Sequence, residues 1–134
     1  YVSALANGGA IYKPQVVNRI VDKNGNAVDI FSNEPIGRLP FSEDVIQEIR
    51  LAMRESVRSG TARLFQDLPV QAAAKTGTAE VAKGKTINAL FTAFAPFDNP
   101  EISITVLIEG SATNEGYAIN VSHNFLKWYF SQPQ

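Results

Sequence analysis

Residues 72–80 read Ala-Ala-Ala-Lys-Thr-Gly-Thr-Ala-Glu, and this stretch constrains the fold more than any other. Three alanines bring little β-propensity of their own, so a strand here must be held by what packs on it, and small side chains let neighbours approach closely. Gly77 continues that logic, because a glycine inside a strand marks a place where a ligand or another backbone comes near. At a sheet edge, such a strand offers its own N–H and C=O groups to an extended peptide. Lys75, Thr76 and Thr78 then supply charge and hydrogen bonds for a carboxylate. The stretch reads as one wall of a cleft. The plainer reading is a solvated strand end with an accidental Lys-Thr-Gly triplet, and only the surrounding chain decides between the two.

A chain of 134 residues with 45% hydrophobic content is of single-domain size and can bury a sizeable core. Its formal charge of -1 gives no electrostatic reason to expect nucleic acid or an acidic membrane surface as partner. The absence of cysteine excludes disulfides and thiolate metal sites within these residues. No apolar run approaches the length of a membrane span, and no charged-then-apolar signal segment opens the chain. Residues 1–6 read as the end of a helix stopped by Asn7, Gly8 and Gly9, with no initiator methionine, so the chain is expected to be a piece of a longer one.

Along the chain, residues 11–21 are expected to form a strand with Pro14 at its start or edge, followed by a turn at residues 22–26 and a second strand at 28–31. Asn24-Gly25 is the dipeptide that a type I′ hairpin favours. Residues 32–40, with Asn33, Pro35, Gly37 and Pro40, read as irregular connection. Ser42 is a good N-cap for a helix reaching about Ser59, with Glu43 and Asp44 in its first turn. Val45, Ile46, Ile49, Ala52, Met53 and Val57 give that helix one buried stripe, and Gly60 follows as a natural C′ residue. Arg54 and Arg58 are read as cations complementing the helix end, and Met53 as core filler. Residues 61–70 are a short connection anchored by Leu64, Phe65 and Leu68.

From residue 72 the pattern becomes strand, loop at 80–86, strand at 87–95, turn at 96–100 and strand at 102–108. Connections this short predict an antiparallel three-strand meander. Ile102, Ile104, Val106 and Ile108 line one face and Leu107 the other, while Leu90, Phe91 and Phe94 divide between faces, so both sides of the sheet are expected to be covered. After a polar loop at 110–116, residues 117–130 form a helix with Ala118, Val121, Phe125 and Trp128 on its buried face and Asn120, Asn124 and Lys127 opposite. The fold class is therefore α+β: an antiparallel sheet, made of the meander plus a hairpin, packed with helices.

Three other motifs are turned down. Gly84-Lys85-Thr86 resembles the end of a phosphate-binding loop, but the required earlier glycine would fall at Ala79. His123 is the only histidine, so no histidine cluster can hold a metal, and it reads as a satisfied or partly exposed helix residue. Asn120-Val121-Ser122 fits a glycosylation acceptor pattern but lies inside a predicted helix.

With the meander, the terminal helix and the Lys75-Thr76-Gly77-Thr78-Ala79 strand in view, the chain resembles the C-terminal part of the transpeptidase domain of penicillin-binding proteins. These are serine acyltransferases of the superfamily that includes β-lactamases, for which Lys-Thr-Gly is one of three signatures. Ala4-Leu5-Ala6-Asn7-Gly8-Gly9 with Pro14, Ala52-Met53 to Ser59-Gly60-Thr61-Ala62, and Leu90-Phe91 to Ala95-Pro96 are similar to the same family in the same order. The resemblance covers nearly the whole chain, residues 1–134, and its spacing looks like the monofunctional class B proteins of elongation or division.

The resemblance implies a membrane-anchored, extracytoplasmic bacterial enzyme. It attacks the D-Ala-D-Ala end of a peptidoglycan stem peptide with a serine, releases the last D-Ala and passes the acyl group to an amine on another stem. Lys75 would set the positive potential for the terminal carboxylate and help proton movement through a serine of the second signature. The Thr76 and Thr78 hydroxyls would bind that carboxylate, beside the bare backbone of Gly77. The Thr78 N–H would be one of two oxyanion donors. β-Lactams would enter as substrate mimics, no cofactor or metal is implied, and a SEDS-type glycosyltransferase would be a partner of the whole protein.

Strand alternation places Thr76 and Thr78 on one side and Lys75 and Gly77 on the other, so Lys75 serves the same cleft only if the strand borders it edge-on. No Ser-x-x-Lys occurs in these residues, and Ser122-His123-Asn124 follows the Lys-Thr-Gly strand instead of preceding it. Nucleophile and second signature are therefore expected in the missing N-terminal part of the domain, the chain alone is expected to be inactive, and residues 102–108 are expected to show an open edge. The alternatives are a D,D-carboxypeptidase or β-lactamase, a non-catalytic penicillin-binding sensor or scaffold, and a plain peptide-binding β module.

Overall fold

The computed structural model describes residues 1–31, 33–82, 86–112 and 116–132. Its first half holds helix α1 (Val2–Ala6), strands β1 (Ala10–Tyr12), β2 (Arg19–Val21), β3 (Ala27–Ile30) and β4 (Pro35–Arg38), and helix α2 (Glu43–Arg58). Then come a 3-10 helix (Arg63–Asp67), strands β5 (Ala73–Ala82), β6 (Thr86–Ala95) and β7 (Ile102–Ser111), and helix α3 (Tyr117–Phe130). No helix among the described residues is long and apolar enough to cross a membrane.

The meander forms as expected, antiparallel with β6 in the middle. Its alternation sorts side chains into two layers. On one face Ala89, Phe91, Ala93 and Ala95 of β6 join Ala72 and Ala74, with Ile102, Ile104, Val106 and Ile108 of β7 packed against them. Phe65 of the 3-10 helix and Ala118 and Leu126 of α3 close that layer. On the other face Ala73 and Phe94 meet Val2, Leu5 and Ala6 of α1, Ile46 and Met53 of α2, and Phe97. The alanine run is thus packed from both sides, which is why small residues form a strand there.

Among the described residues the second face is covered only at the α1 end, contrary to expectation. Leu90 is 38% and Leu107 50% exposed, because α1 and α2 reach no farther than the Ala73 and Phe94 row. Between covered and open halves, buried Thr92 donates its hydroxyl to the Ile104 carbonyl at 3.0 Å and pairs with the Thr105 hydroxyl at 3.0 Å.

Helix α2 starts where the sequence places it, with the Ser42 hydroxyl accepting the Val45 N–H at 3.4 Å. Its buried stripe is narrower than expected: Ile46, Met53 and Val57 are buried, while Val45 and Ala52 are exposed. Arg54 is not merely a helix-end charge. Its guanidinium lies 4.5 Å from the centre of the Phe97 ring, a cation–π contact. Arg50 flanks the same ring at 5.3 Å and donates to the Phe97 carbonyl at 2.6 Å, so two arginines fix the turn after β6. Arg58 makes a surface pair with Glu55 at 3.7 Å.

Helix α3 has the expected bounds but presents a different face. Ala118, Ser122, His123 and Leu126 are buried, whereas Val121, Phe125 and Trp128 remain exposed. Ala118, Ser122 and Leu126, spaced four apart, form a ridge whose small members let the helix lie close on the alanine-rich sheet. Phe125 and Trp128 are not core: exposed Phe125 contacts exposed Trp128 at 5.8 Å and half-buried Tyr129 at 6.3 Å, while Phe130 packs against the core.

The first half departs most from expectation. Instead of one strand, residues 11–21 hold β1 and β2, with Pro14 in the break between them. The expected connection at 32–40 contains β4, which pairs with β1 at Ala10↔Arg38 and Ile11↔Gly37. The β2–β3 hairpin is present, but only Gly25 takes a left-handed conformation, with φ +86°, so the turn is not type I′. Asp22 shapes it, its carboxylate accepting the N–H groups of Asn24 at 2.8 Å and Asn26 at 2.9 Å. The later loops are shorter than expected, since β5 continues to Ala82 and β7 to Ser111. Residues 83–85, with most of the rejected Gly84-Lys85-Thr86 motif, and 113–115 lie outside the described residues.

Candidate functional site

Strand β5 leaves the core one residue after its alanines. Ala74 is fully buried, Lys75 is exposed, Thr76 and Gly77 are half-buried, and Thr78 is exposed. Among the described residues β5 pairs with β6 alone, so its other edge carries no strand. The four candidate residues therefore lie together on an open strand edge at the surface.

Register fixes their directions. Thr76 stands opposite Phe91 and Thr78 opposite Ala89, both in the layer beneath α3; Lys75 stands opposite Thr92 and Gly77 opposite Leu90, on the half-open face. The expected division of Thr76 and Thr78 from Lys75 and Gly77 is present. Lys75 does turn along the edge, its Nζ donating to the Thr76 carbonyl at 2.7 Å. At Gly77 a Cβ would meet the Leu90 Cβ at 3.3 Å, so the missing side chain lets Leu90 lie close.

A recess of about 150 Å³ adjoins the strand, lined by Thr61, Thr76, Gly77, Leu90, Gly116 and Ile119 among others. Within it the Thr61 and Thr76 hydroxyls are hydrogen-bonded at 3.1 Å. A larger cleft of about 550 Å³ opens between α2, the 3-10 helix and residues 69–72, but none of Lys75 to Thr78 lines it. The small recess and the β5 edge beside it are where chemistry can be placed.

His123 is more involved than its sequence reading allows. It is buried, its ring edge-on to Phe65, and its Nε2 stands 2.5 Å from Asp67 Oδ1. An ionised carboxylate only accepts, so that nitrogen carries the proton. Lys127 Nζ donates to Asp67 Oδ2 at 2.6 Å. The Lys127 hydrogen bond, then that of His123, holds the Asp67 carboxyl below the ordinary carboxylate range. The cluster ties the 3-10 helix to α3. Ser122 is fully buried and donates to the Ala118 carbonyl at 2.8 Å, so its hydroxyl is committed within α3. Among the described residues no group of three His, Cys, Asp or Glu side chains is placed to hold a metal.

Sequence reasoning passed over two residues. Thr61 entered only as part of Ser59-Gly60-Thr61-Ala62, and Asp67 only as part of a connection. A hydroxyl following a helix-ending glycine was the available signal for Thr61; for Asp67, whose partners lie 56 and 60 residues away, there was none.

The family model described as "Penicillin binding protein transpeptidase domain" matches residues 1–128. Penicillin-binding protein 2A of Bacillus subtilis (strain 168) is 36% identical over 123 residues, covering 81% of this chain and 17% of that protein. Peptidoglycan D,D-transpeptidase MrdA of Acinetobacter baumannii is 36% identical over 121 residues, 78% of this chain and 17% of that one. The D,D-transpeptidase domain of a peptidoglycan glycosyltransferase from Eggerthella lenta superposes with a TM-score of 0.82 at 24% identity, over 96% of this chain and 30% of that chain. That last likeness is one of fold, and it agrees with the α+β reading. The chain spans 17% of the length of either curated relative.

Proposed function

The chain belongs to the penicillin-binding protein transpeptidase family, and from that premise we propose that residues 1–134 are the C-terminal part of a D,D-transpeptidase domain of the class B type. In this reading β5 is one wall of the acylation site. A serine supplied by the rest of the domain attacks the carbonyl between the two D-Ala residues of a stem peptide. The terminal D-Ala leaves as an amine, the acyl group rests as an ester on the serine, and an amine of a second stem takes it and frees the serine. β-Lactams acylate the same serine by ring opening. The full protein then works at the outer side of a bacterial membrane, held by an anchor outside this chain, beside a SEDS-type glycosyltransferase.

The observation that carries this reading is the abrupt emergence of Lys75, Thr76, Gly77 and Thr78 from a buried alanine run along a strand that, among the described residues, has a neighbouring strand on one side only. The Lys75 ammonium supplies positive potential for the substrate carboxylate and aids proton movement, while the Thr76 and Thr78 hydroxyls hold that carboxylate. A Thr76 carbonyl available to Lys75 Nζ is what an outward-turned peptide group offers. In a strand the N–H and C=O of one residue turn to the same edge and alternate residues share it, so an outward Thr76 carbonyl goes with an outward Thr78 N–H, the direction an oxyanion donor needs.

In the complete protein, Lys75→Ala and Thr78→Pro are each expected to slow labelling by a fluorescent penicillin by about 10²-fold or more, the loss typical of one preorganised donor. Proline is tolerated at an edge position whose N–H faces away from the sheet, so the circular dichroism spectrum should not change. Labelling at the unsubstituted rate by either variant would overturn the assignment.

A further inference from the structure

We infer that Thr61 is a positioning residue: its hydroxyl donates to the Thr76 hydroxyl and thereby commits Thr76's only proton to the substrate carboxylate. This rests on the proposed role of Thr76.

Thr61 is firmly held from behind. The Gly60 N–H and the Ala62 N–H, one on each side of it, both donate to the Ser56 carbonyl, at 3.1 and 3.0 Å. Ala62 is fully buried. The last turn of α2 is itself tied down, because Gln66 donates to the carbonyls of Val57 at 3.0 Å and Arg58 at 2.7 Å. Arg63 donates to the Ser59 carbonyl through Nε at 3.0 Å and Nη2 at 2.6 Å. A β-branched side chain on so fixed a backbone has few rotamers open to it, and this one ends 3.1 Å from Thr76 Oγ1.

The direction of the bond follows from counting protons. A hydroxyl has one proton to give and two lone pairs to receive with, and a carboxylate can only accept. When Thr76 gives its proton to the carboxylate, the 3.1 Å contact persists only if Thr61 is the donor. A chain running Thr61 to Thr76 to carboxylate polarises each link in the same sense. With Thr61 replaced by an apolar isostere, the Thr76 hydroxyl loses this orientation and the carboxylate hold weakens.

The test uses the complete protein and measures second-order acylation by benzylpenicillin and by its methyl ester, in which the carboxylate is blocked. Thr61→Val is expected to lower the acid-to-ester rate ratio about tenfold, in keeping with a hydrogen bond to a charged group. Thr61→Ser, which keeps the donor, should restore the ratio, and the ester alone should react with Thr61→Val at the unsubstituted rate. An unchanged ratio in Thr61→Val, with a lowered ratio in Thr76→Val, would overturn the inference and spare the site. An unchanged ratio in Thr76→Val would remove the role of Thr76 and the inference with it.

Discussion

At Gly60 a Cβ would stand 2.9 Å from the Ser56 Cα and 3.0 Å from the Ser56 oxygen, and neither can move without bending α2. The sequence marked Gly60 as a helix stop for its conformational freedom, yet the glycines with positive φ do not include it. Its role is to let the chain turn back against the last turn of α2, which sets the position of Thr61 just beyond it. Gly60→Ala is therefore expected to destabilise by about 1–3 kcal/mol, as overpacking against a backbone does. Gly37→Ala is the control: nothing lies within 4 Å of its Cβ position and its φ is ordinary, so the change should be neutral or stabilising by up to about 1 kcal/mol. Urea unfolding of both variants checks the pair, and equal midpoints would contradict the account. Conformation and charge at single residues were legible in the sequence; close approach between distant backbones was not.

Among the elements, α2, β6, β7 and α3 could be read because each carries a periodic pattern or a clear cap, and β5 because its small side chains and Gly77 mark a closely packed strand. β4 could not, since four exposed residues gain their strand character only from β1, more than twenty positions earlier. The face of α3 was misread because aromatic size outweighed the small ridge of Ala118 and Ser122 that fits the sheet. What replaces the expected aromatic packing is the Asp67 link to His123 and Lys127. The Asp67 carboxyl lies below its ordinary range when folded, so its stabilising contribution is complete above the unfolded carboxylate value and is lost as pH falls through the lowered folded value. Asp67→Asn should therefore melt earlier than the parent at neutral pH, and the difference should shrink once pH drops below about 4, where carboxylates protonate. Thermal melts between neutral and strongly acid pH test this, and a gap that stays constant into strong acid would contradict it.

On the scale of the whole molecule, the meander and the order of its short connections revealed the α+β architecture. Coverage of the sheet could not be read, because covering the Leu90 and Leu107 half depends on which elements pack there, and among the described residues both side chains stay exposed. The same limit divides the site. Lys75, Thr76, Gly77 and Thr78 are readable as the proposed recognition edge, while the proposed attacking serine has no counterpart in a Ser-x-x-Lys anywhere in the chain. The account thus rests on β5 meeting a nucleophile carried elsewhere in the domain. A crystal structure of the complete domain acylated by a penicillin tests it most directly. The acyl carbonyl oxygen is predicted to accept a hydrogen bond from the Thr78 N–H, with the drug's carboxylate against the Thr76 and Thr78 hydroxyls and the open edge of β5 occupied. An adduct whose oxyanion and carboxylate are both held by groups away from β5 would contradict it.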